Sequence, residues 1–420
     1  MTDSAKNSTC YLMPEETEKL LAWVESVNVK AAGDFERAQQ IVSRLGAHYR
    51  NGSTEIGIYA PEIAAQNIPD GDWHLEVLTP LDAIDLTADE QKVRFQRSHV
   101  PLKLIDDCAW GVIAGMTPGT RDHVGCFYWL RYKDAGGNWH SIHDHLAYSV
   151  PFGTLAPAEL YDIETMQASR ADATHFSNMD WDADPMHQND DGIPRVGPPV
   201  NILQIHPGTA SPEGTLEGLR QIYARIAEKR RSGEALTPEE QNYIGYDAVQ
   251  LLPVEPPIEH EAGPAFWNEE PAPKSDTLTA TLHQHDIFDW GYDVMVSASP
   301  AVNPAITSTK RPDELVDLIA ELHNFPDGPI KVIFDIVYGH TDNQALKLFH
   351  TNYLAGANMY GQNLNYRHLI ARATWLEMQR RKSDYGVDGI RVDGAQDFKG
   401  YDPVTNTLYH DDEYLRQMND

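Results

Sequence analysis

The chain has 420 residues, 41% of them hydrophobic and 23% charged, a composition that supports packed domains and excludes a mostly disordered protein. Its formal net charge of −30 repels a phosphate backbone or an anionic bilayer, and the basic cluster Arg225, Lys229, Arg230 and Arg231 is cancelled by Glu234, Glu239 and Glu240. Nucleic acid and membrane partners are not expected.

In chain order, residues 1–53 read as an N-terminal helical segment, because Leu20, Leu21, Trp23 and Val24, then Ile41, Val42 and Leu45, recur at helical spacing. The start, Met1 to Thr9, lacks the basic and apolar stretches of an export signal, which makes a cytoplasmic location the expectation. Residues 54–163 hold short β-like runs, Ile56 to Tyr59, His74 to Leu78 and Phe127 to Tyr132, punctuated by glycine and proline; they predict a β-sandwich-like accessory domain. Residues 164–199 are polar and rich in Asp, Asn, His and Pro, as a linker is. Three scattered cysteines, Cys10, Cys108 and Cys126, are too few for a disulfide framework or a metal knuckle.

From residue 200 to 420 the period changes. The apolar runs Val200 to Ile205, Ala248 to Val254, Lys331 to Val337 and Val387 to Val392 suit strands buried on both faces. Between them lie amphipathic helices. One carries Leu315, Leu318, Ile319 and Leu322 behind an acidic start at Asp313 and Glu314; another carries Leu369, Ile370, Ala373, Leu376 and Met378 and stops at Gly386. This alternation predicts an α/β fold of βα units around a parallel sheet.

The segment Gly386-Val387-Asp388-Gly389-Ile390-Arg391-Val392-Asp393-Gly394 is an apolar strand ending in a carboxylate. Period-two alternation puts Arg391 and Asp393 on one face, where the guanidinium favours and orients an ionised Asp393. Taken alone, such a pair is more often a structural ion pair at a strand end. Upstream, Phe334-Asp335-Ile336-Val337-Tyr338-Gly339-His340 is a second apolar strand with polar groups at its end.

These two segments resemble the first and second signature regions of the α-amylase superfamily, glycoside hydrolase family 13. The resemblance implies a (β/α)8 TIM-type barrel, of which only the first half is present, and retaining cleavage of an α-glucoside. It also implies roles: Asp393 as the nucleophile, Arg391 as the arginine that holds it, His340 as a binder of a sugar hydroxyl, and Asp335 as structural support for Arg391. Asp289-Trp290-Gly291-Tyr292-Asp293 resembles a further family segment, with Tyr292 as a platform for the sugar ring and Asp289 as a contact to its hydroxyls. Gln204 and His206 match no family role. The family's asparagine before the histidine, a calcium ligand in many members, is Gly339 here, so no metal and no cofactor is expected.

The family's acid/base glutamate follows the fifth strand, and the tail after Asp393 offers only Asp411, Asp412 and Glu413, which read as a solvated acidic turn. The chain is therefore expected to be incomplete and inactive alone. Asn358 to Asn365 and Asp393 to Phe398 resemble the glucosylglycerol hydrolase branch, whose substrate is a compatible solute. The alternatives are an α-glucan enzyme of branching or debranching type, and a noncatalytic carbohydrate-binding fragment. A small carbohydrate is the expected partner, and oligomeric state is not legible. His140, His143 and His145 read as partly exposed histidines rather than a metal site, and His283 and His285 as candidates to line the cleft.

Overall fold

A computed structural model describes residues 9–178, 196–259, 263–271, 275–287, 289–394, 399–402 and 404–419. Four strands form a parallel sheet in the order Ile202–Ile205, Ala248–Leu251, Lys331–Val337 and Gly389–Asp393, so spatial order follows chain order. The third strand is buried beyond its half-buried first residue, Lys331, which is why the rest of its sequence is an apolar run interrupted by a single charge, Asp335.

Helices fill the connections. Leu216–Ser232 opens on Thr215, whose side chain accepts the Gly218 N–H, and closes at Gly233 in the left-handed conformation. Asp313–His323 buries the predicted stripe of Leu315, Leu318, Ile319 and Leu322. Leu369–Lys382 runs into the short 3-10 turn Ser383–Tyr385, and Gly386, at φ +86°, turns the chain into the fourth strand. No helix among the described residues is long and apolar enough to cross a membrane.

The remainder is built on two antiparallel sheets. The first runs Tyr11–Leu12, Cys108–Ala114, Ser53–Tyr59, Gly46–Arg50, with Lys103–Ile105 also paired to Cys108–Ala114. The second runs Ala158–Glu159, Phe127–Lys133, Trp73–Pro80, Glu90–Val100, Thr277–His283, Trp267–Glu269, with Trp139–Ile142 on Phe127–Lys133. Ile56, Ile58 and Ile113 from the first sheet share one core with Leu75, Val77 and Leu130 from the second, the packing of a sandwich.

The elements depart from the sequence-based boundaries in three places. The segment 1–53 holds the helices Pro14–Lys30 and Asp34–Ser43, but also Gly46–Arg50, which pairs along its length with Ser53–Tyr59. Thr277–His283, inside the segment 200–420, pairs with Glu90–Val100 instead of joining the parallel sheet; its sequence TLTATLH alternates exposed or half-buried with buried positions, as a one-sided antiparallel strand must. Within 164–199 the described part is anchored: Ile163–Ala168 is a helix capped by Asp162, and Asp172 and His175 are buried.

Buried polar groups clamp the sandwich to the α/β part. Arg311 pairs with Glu159 at 2.7 Å, and Arg381 donates to the carbonyls of Leu45 and Leu146 at 2.6 Å each. The second clamp fixes the helix before the fourth strand, and with it the strand's approach to the site.

Candidate active site

Polar side chains converge where the third and fourth parallel strands end. Their register sets Asp335 beside Arg391 and Val337 beside Asp393. One guanidinium can then reach a carboxylate on each strand. Arg391 Nη1 donates to Asp335 Oδ1 at 2.7 Å, and Nη2 lies 2.8 Å from Asp393 Oδ1.

Asp335 is the hub of this network. Its side chain is fully buried, and its Oδ2 accepts from Gln250 Nε2 at 2.8 Å, Tyr292 Oη at 2.8 Å and Gln204 Nε2 at 3.4 Å. A buried carboxylate is tolerable only when its oxygens are satisfied in this way. Gln204 and Gln250 are direct register partners on the first and second strands, so all four parallel strands contribute a side chain to one network. Sequence reasoning left Gln204 unassigned and missed Gln250. The available signal was an amide placed mid-run in the otherwise apolar Ala248–Leu251.

Exposure separates the two carboxylates. Asp335 is sealed, whereas Asp393 is 33% and Arg391 43% exposed, so Asp393 is the one a ligand can reach. Burial opposes the charge on Arg391, but Asp335 and Asp393 outweigh it and hold its pKa above the ordinary value. The arrangement can present an oriented, arginine-paired carboxylate to a neutral polyol.

Tyr292 joins the network through its hydroxyl, which burial and the bond to Asp335 keep protonated by pushing its pKa up. Its ring sits 4.7 Å from that of Trp290, which is largely exposed. Asp289 serves its own turn. Its Oδ1 accepts the Gly291 N–H at 2.6 Å, its carbonyl contacts His206 Nε2, and burial pushes its carboxyl pKa up. Gly291 holds a φ of +94°, and a Cβ there would lie 2.6 Å from the Pro253 carbonyl oxygen.

His340 follows the third strand and stacks on Tyr360 at 4.8 Å, the tip of a hairpin formed by Leu354–Asn358 and Gly361–Leu364. Thus Asp335, Arg391, Asp393 and Tyr292 form one bonded group. Among the described residues, no hydrogen bond ties His340 or Asp289 to it. The Gly339 departure has a steric reason: a Cβ there would lie 2.9 Å from Gly394 Cα, and one on Gly394, at φ +79°, would lie 2.6 Å from Gly339 Cα. The two strand ends pack backbone to backbone and leave no room for an asparagine.

Other candidates fall elsewhere. His140 faces Asp134 at 2.9 Å, His143 the Ala156 carbonyl at 3.2 Å, and His145 packs on Phe349, so these three point to different partners. His283 lies on the antiparallel sheet, 3.7 Å from Glu90, and His285 is buried against Phe266. Neither joins the Arg391 network. The acidic tail is not a loose turn, because Asp411 pairs with Arg372 at 2.8 Å and Asp412–Asn419 is a helix that buries Tyr414. Ala395 to Phe398 lie outside the described residues.

A profile of the family described as hypothetical glycoside hydrolase 5 matches residues 19–420. In sequence the chain is similar to isoamylase 3, chloroplastic, of Oryza sativa subsp. japonica, 24% identical over 259 residues, 54% of this chain and 30% of that one. Its fold is similar to pullulanase from Bacillus acidopullulyticus, with a TM-score of 0.56 at 16% identity over 85% of this chain and 39% of that one. Pullulanase from Anoxybacillus sp. LM18-11 gives a TM-score of 0.54 at 16% identity over 86% and 46%. The chain therefore spans less than half the length of each of these relatives.

Proposed function

The chain belongs to the hypothetical glycoside hydrolase 5 family, and we propose that it carries the nucleophile side of a retaining α-glycosidase site, with Asp393 attacking the anomeric carbon. The observation that carries this reading is the single guanidinium of Arg391 bridging sealed Asp335 and accessible Asp393 at the ends of adjacent parallel strands. In retaining cleavage a carboxylate displaces the leaving oxygen to form a glycosyl ester, while a second carboxyl group about 5–5.5 Å away supplies a proton and then activates water. Arg391 pairs with Asp393 and aims it, Asp335 fixes Arg391, and Tyr292 beside Trp290 offers the sugar an apolar surface. The four parallel strands support their reading as the first half of a (β/α)8 barrel, whose catalytic side chains stand at the carboxyl ends of strands.

For the substrate, an α-glucan of the kind handled by debranching enzymes is favoured by the likeness to an isoamylase over 54% of this chain. The narrower reading, a small α-glucoside such as glucosylglycerol, rests on the segment Asn358 to Asn365, whose Tyr360 reaches over to His340.

Trapping tests the nucleophile directly. A 5-fluoro-α-glucosyl fluoride needs no proton for its leaving group, so labelling reports on the attacking carboxylate independently of the acid. One glucosyl adduct on the peptide containing Asp393, absent from Asp393→Asn, is the expected result. Labelling at another residue, or none, refutes the assignment. Protection from labelling by maltotriose or by glucosylglycerol decides between the two substrate classes.

A further inference from the structure

One face of the seven-stranded antiparallel sheet is apolar where Leu78, Phe95, Phe127 and Trp267 pack. Farther along the same strands it becomes polar. His74 and Glu76 stand two apart on Trp73–Pro80, and therefore on one face. His99, on Glu90–Val100, is the direct cross-strand partner of Glu76. Ligand atoms of all three residues lie within 4.8 Å of one another. We propose that His74, Glu76 and His99 bind a divalent transition-metal ion, zinc by preference, on a sheet that contributes nothing to the Arg391 network.

The spacing between donors carries the argument. His99 Nε2 lies 3.5 Å from Glu76 Oε1. That is long for an N–H···O bond, which centres near 2.9–3.0 Å. It fits two ligands of one tetrahedral zinc, because bonds of about 2.0–2.2 Å at a tetrahedral angle set a nitrogen and an oxygen roughly 3.4 Å apart. The ring centroids of His74 and His99 are 4.2 Å apart with the planes tilted by 38°, and a nitrogen of each lies within 4.8 Å of the other and of the Glu76 carboxylate.

Glu76 is held in the way a ligating carboxylate is held. Its Oε2 accepts from Trp129 Nε1 at 2.6 Å, which fixes the plane of the group from behind. Its Oε1 faces His99 and lies 2.8 Å from Arg97 Nε, leaving the second lone pair of that oxygen for the ion. The donor set is two imidazoles and one carboxylate. Three protein ligands leave a fourth position open, and His74, Glu76 and His99 line a cavity of about 300 Å³ together with Arg131, Trp139 and Glu269. Such a site takes an exchangeable water or an oxygen ligand at the open position, unlike the closed four-ligand sites that serve structure alone.

The test is calorimetric titration of the full chain with zinc, alongside the visible spectrum with cobalt(II). Wild type is expected to bind one zinc at micromolar concentration or below and to give the strong absorption of tetrahedral cobalt. His99→Ala removes a half-exposed side chain, so the fold is retained; zinc affinity is expected to fall by about tenfold or more and the cobalt bands to vanish. Glu76→Gln should do the same, and His140→Ala should change neither readout. The proposal is overturned if wild type takes up no zinc in that range. It is overturned equally if binding and spectrum survive His99→Ala, as they would if the ion entered the buried His175–His323–Asp388 cluster instead.

Discussion

Replacing Asp335 by asparagine keeps the shape of the hub and removes its charge, and the hydrogen-bond geometry sets the cost. One oxygen serves Arg391 at 2.7 Å, and the other serves Gln250 and Tyr292 at 2.8 Å each. An amide has a single acceptor oxygen. Turned toward Gln250 and Tyr292, it confronts the guanidinium with an N–H; turned toward Arg391, it strands the other donors. A hydrogen bond to a charged group contributes about 1.5–3 kcal/mol. Arg391 is 43% exposed and can turn to water, so the lower part of that range, roughly 1.5–2 kcal/mol, applies. At about 2–4 °C per kcal/mol for a domain of this size, the thermal midpoint should fall by roughly 3–8 °C. Asp393→Asn, at the accessible end, gives up one partly exposed ion pair and should lose only about 0–1 kcal/mol. The two variants therefore invert: Asp335→Asn melts earlier, whereas Asp393→Asn melts near wild type but takes up no glucosyl label. Scanning calorimetry and mass spectrometry read the two effects. If Asp335→Asn melts with wild type, or if Asp393→Asn is the less stable of the pair, the reasoning from the hub's donors is refuted.

Gly339→Ala should destabilise by about 1–3 kcal/mol, since its Cβ would sit 2.9 Å from the backbone of Gly394; a denaturation midpoint equal to wild type would contradict the backbone packing. Lys382→Met leaves Glu255 buried without its 2.7 Å partner and should cost about 3–5 kcal/mol, most of it recovered when Glu255→Gln is added; a double variant as unstable as the single one would speak against the ion pair as the cause. His323 lies between Asp172 at 2.5 Å and Asp388 at 2.8 Å, and despite burial these carboxylates raise its pKa above the ordinary value of about 6.5. Its contribution to stability is therefore complete below about pH 6.5 and lost as pH rises through the raised value. Asp172 and Asp388 are both lowered to about 2, so their contribution is present above about pH 4 and lost as pH falls toward 2. Melting temperature against pH should show losses on both sides, and His323→Gln should flatten the alkaline limb; an alkaline limb unchanged in that variant would rule out His323 as its source.

The parallel strands and the helices between them were legible because a strand buried on both faces must be apolar throughout, and because helix starts and stops carry local signals. Arg391 and Asp393 were legible together for a local reason as well, since they stand two residues apart on one strand. Thr277–His283 was also written locally, in its strict alternation, but its place in the chain disguised it: a strand's partner is set by pairing across the fold, and this one reaches back to Glu90–Val100. The same non-locality hid Gln250, whose role exists only because register brings it to Asp335 from a strand 85 residues earlier. It also hid the triad His74, Glu76 and His99, assembled by cross-strand pairing rather than by a contiguous motif. Sequence determined which segments could be buried and which strand ends carried charge. Tertiary structure decided which carboxylate was sealed and which left open, because burial and hydrogen-bond partners are properties of neighbours in space, and neighbours in space are chosen by packing.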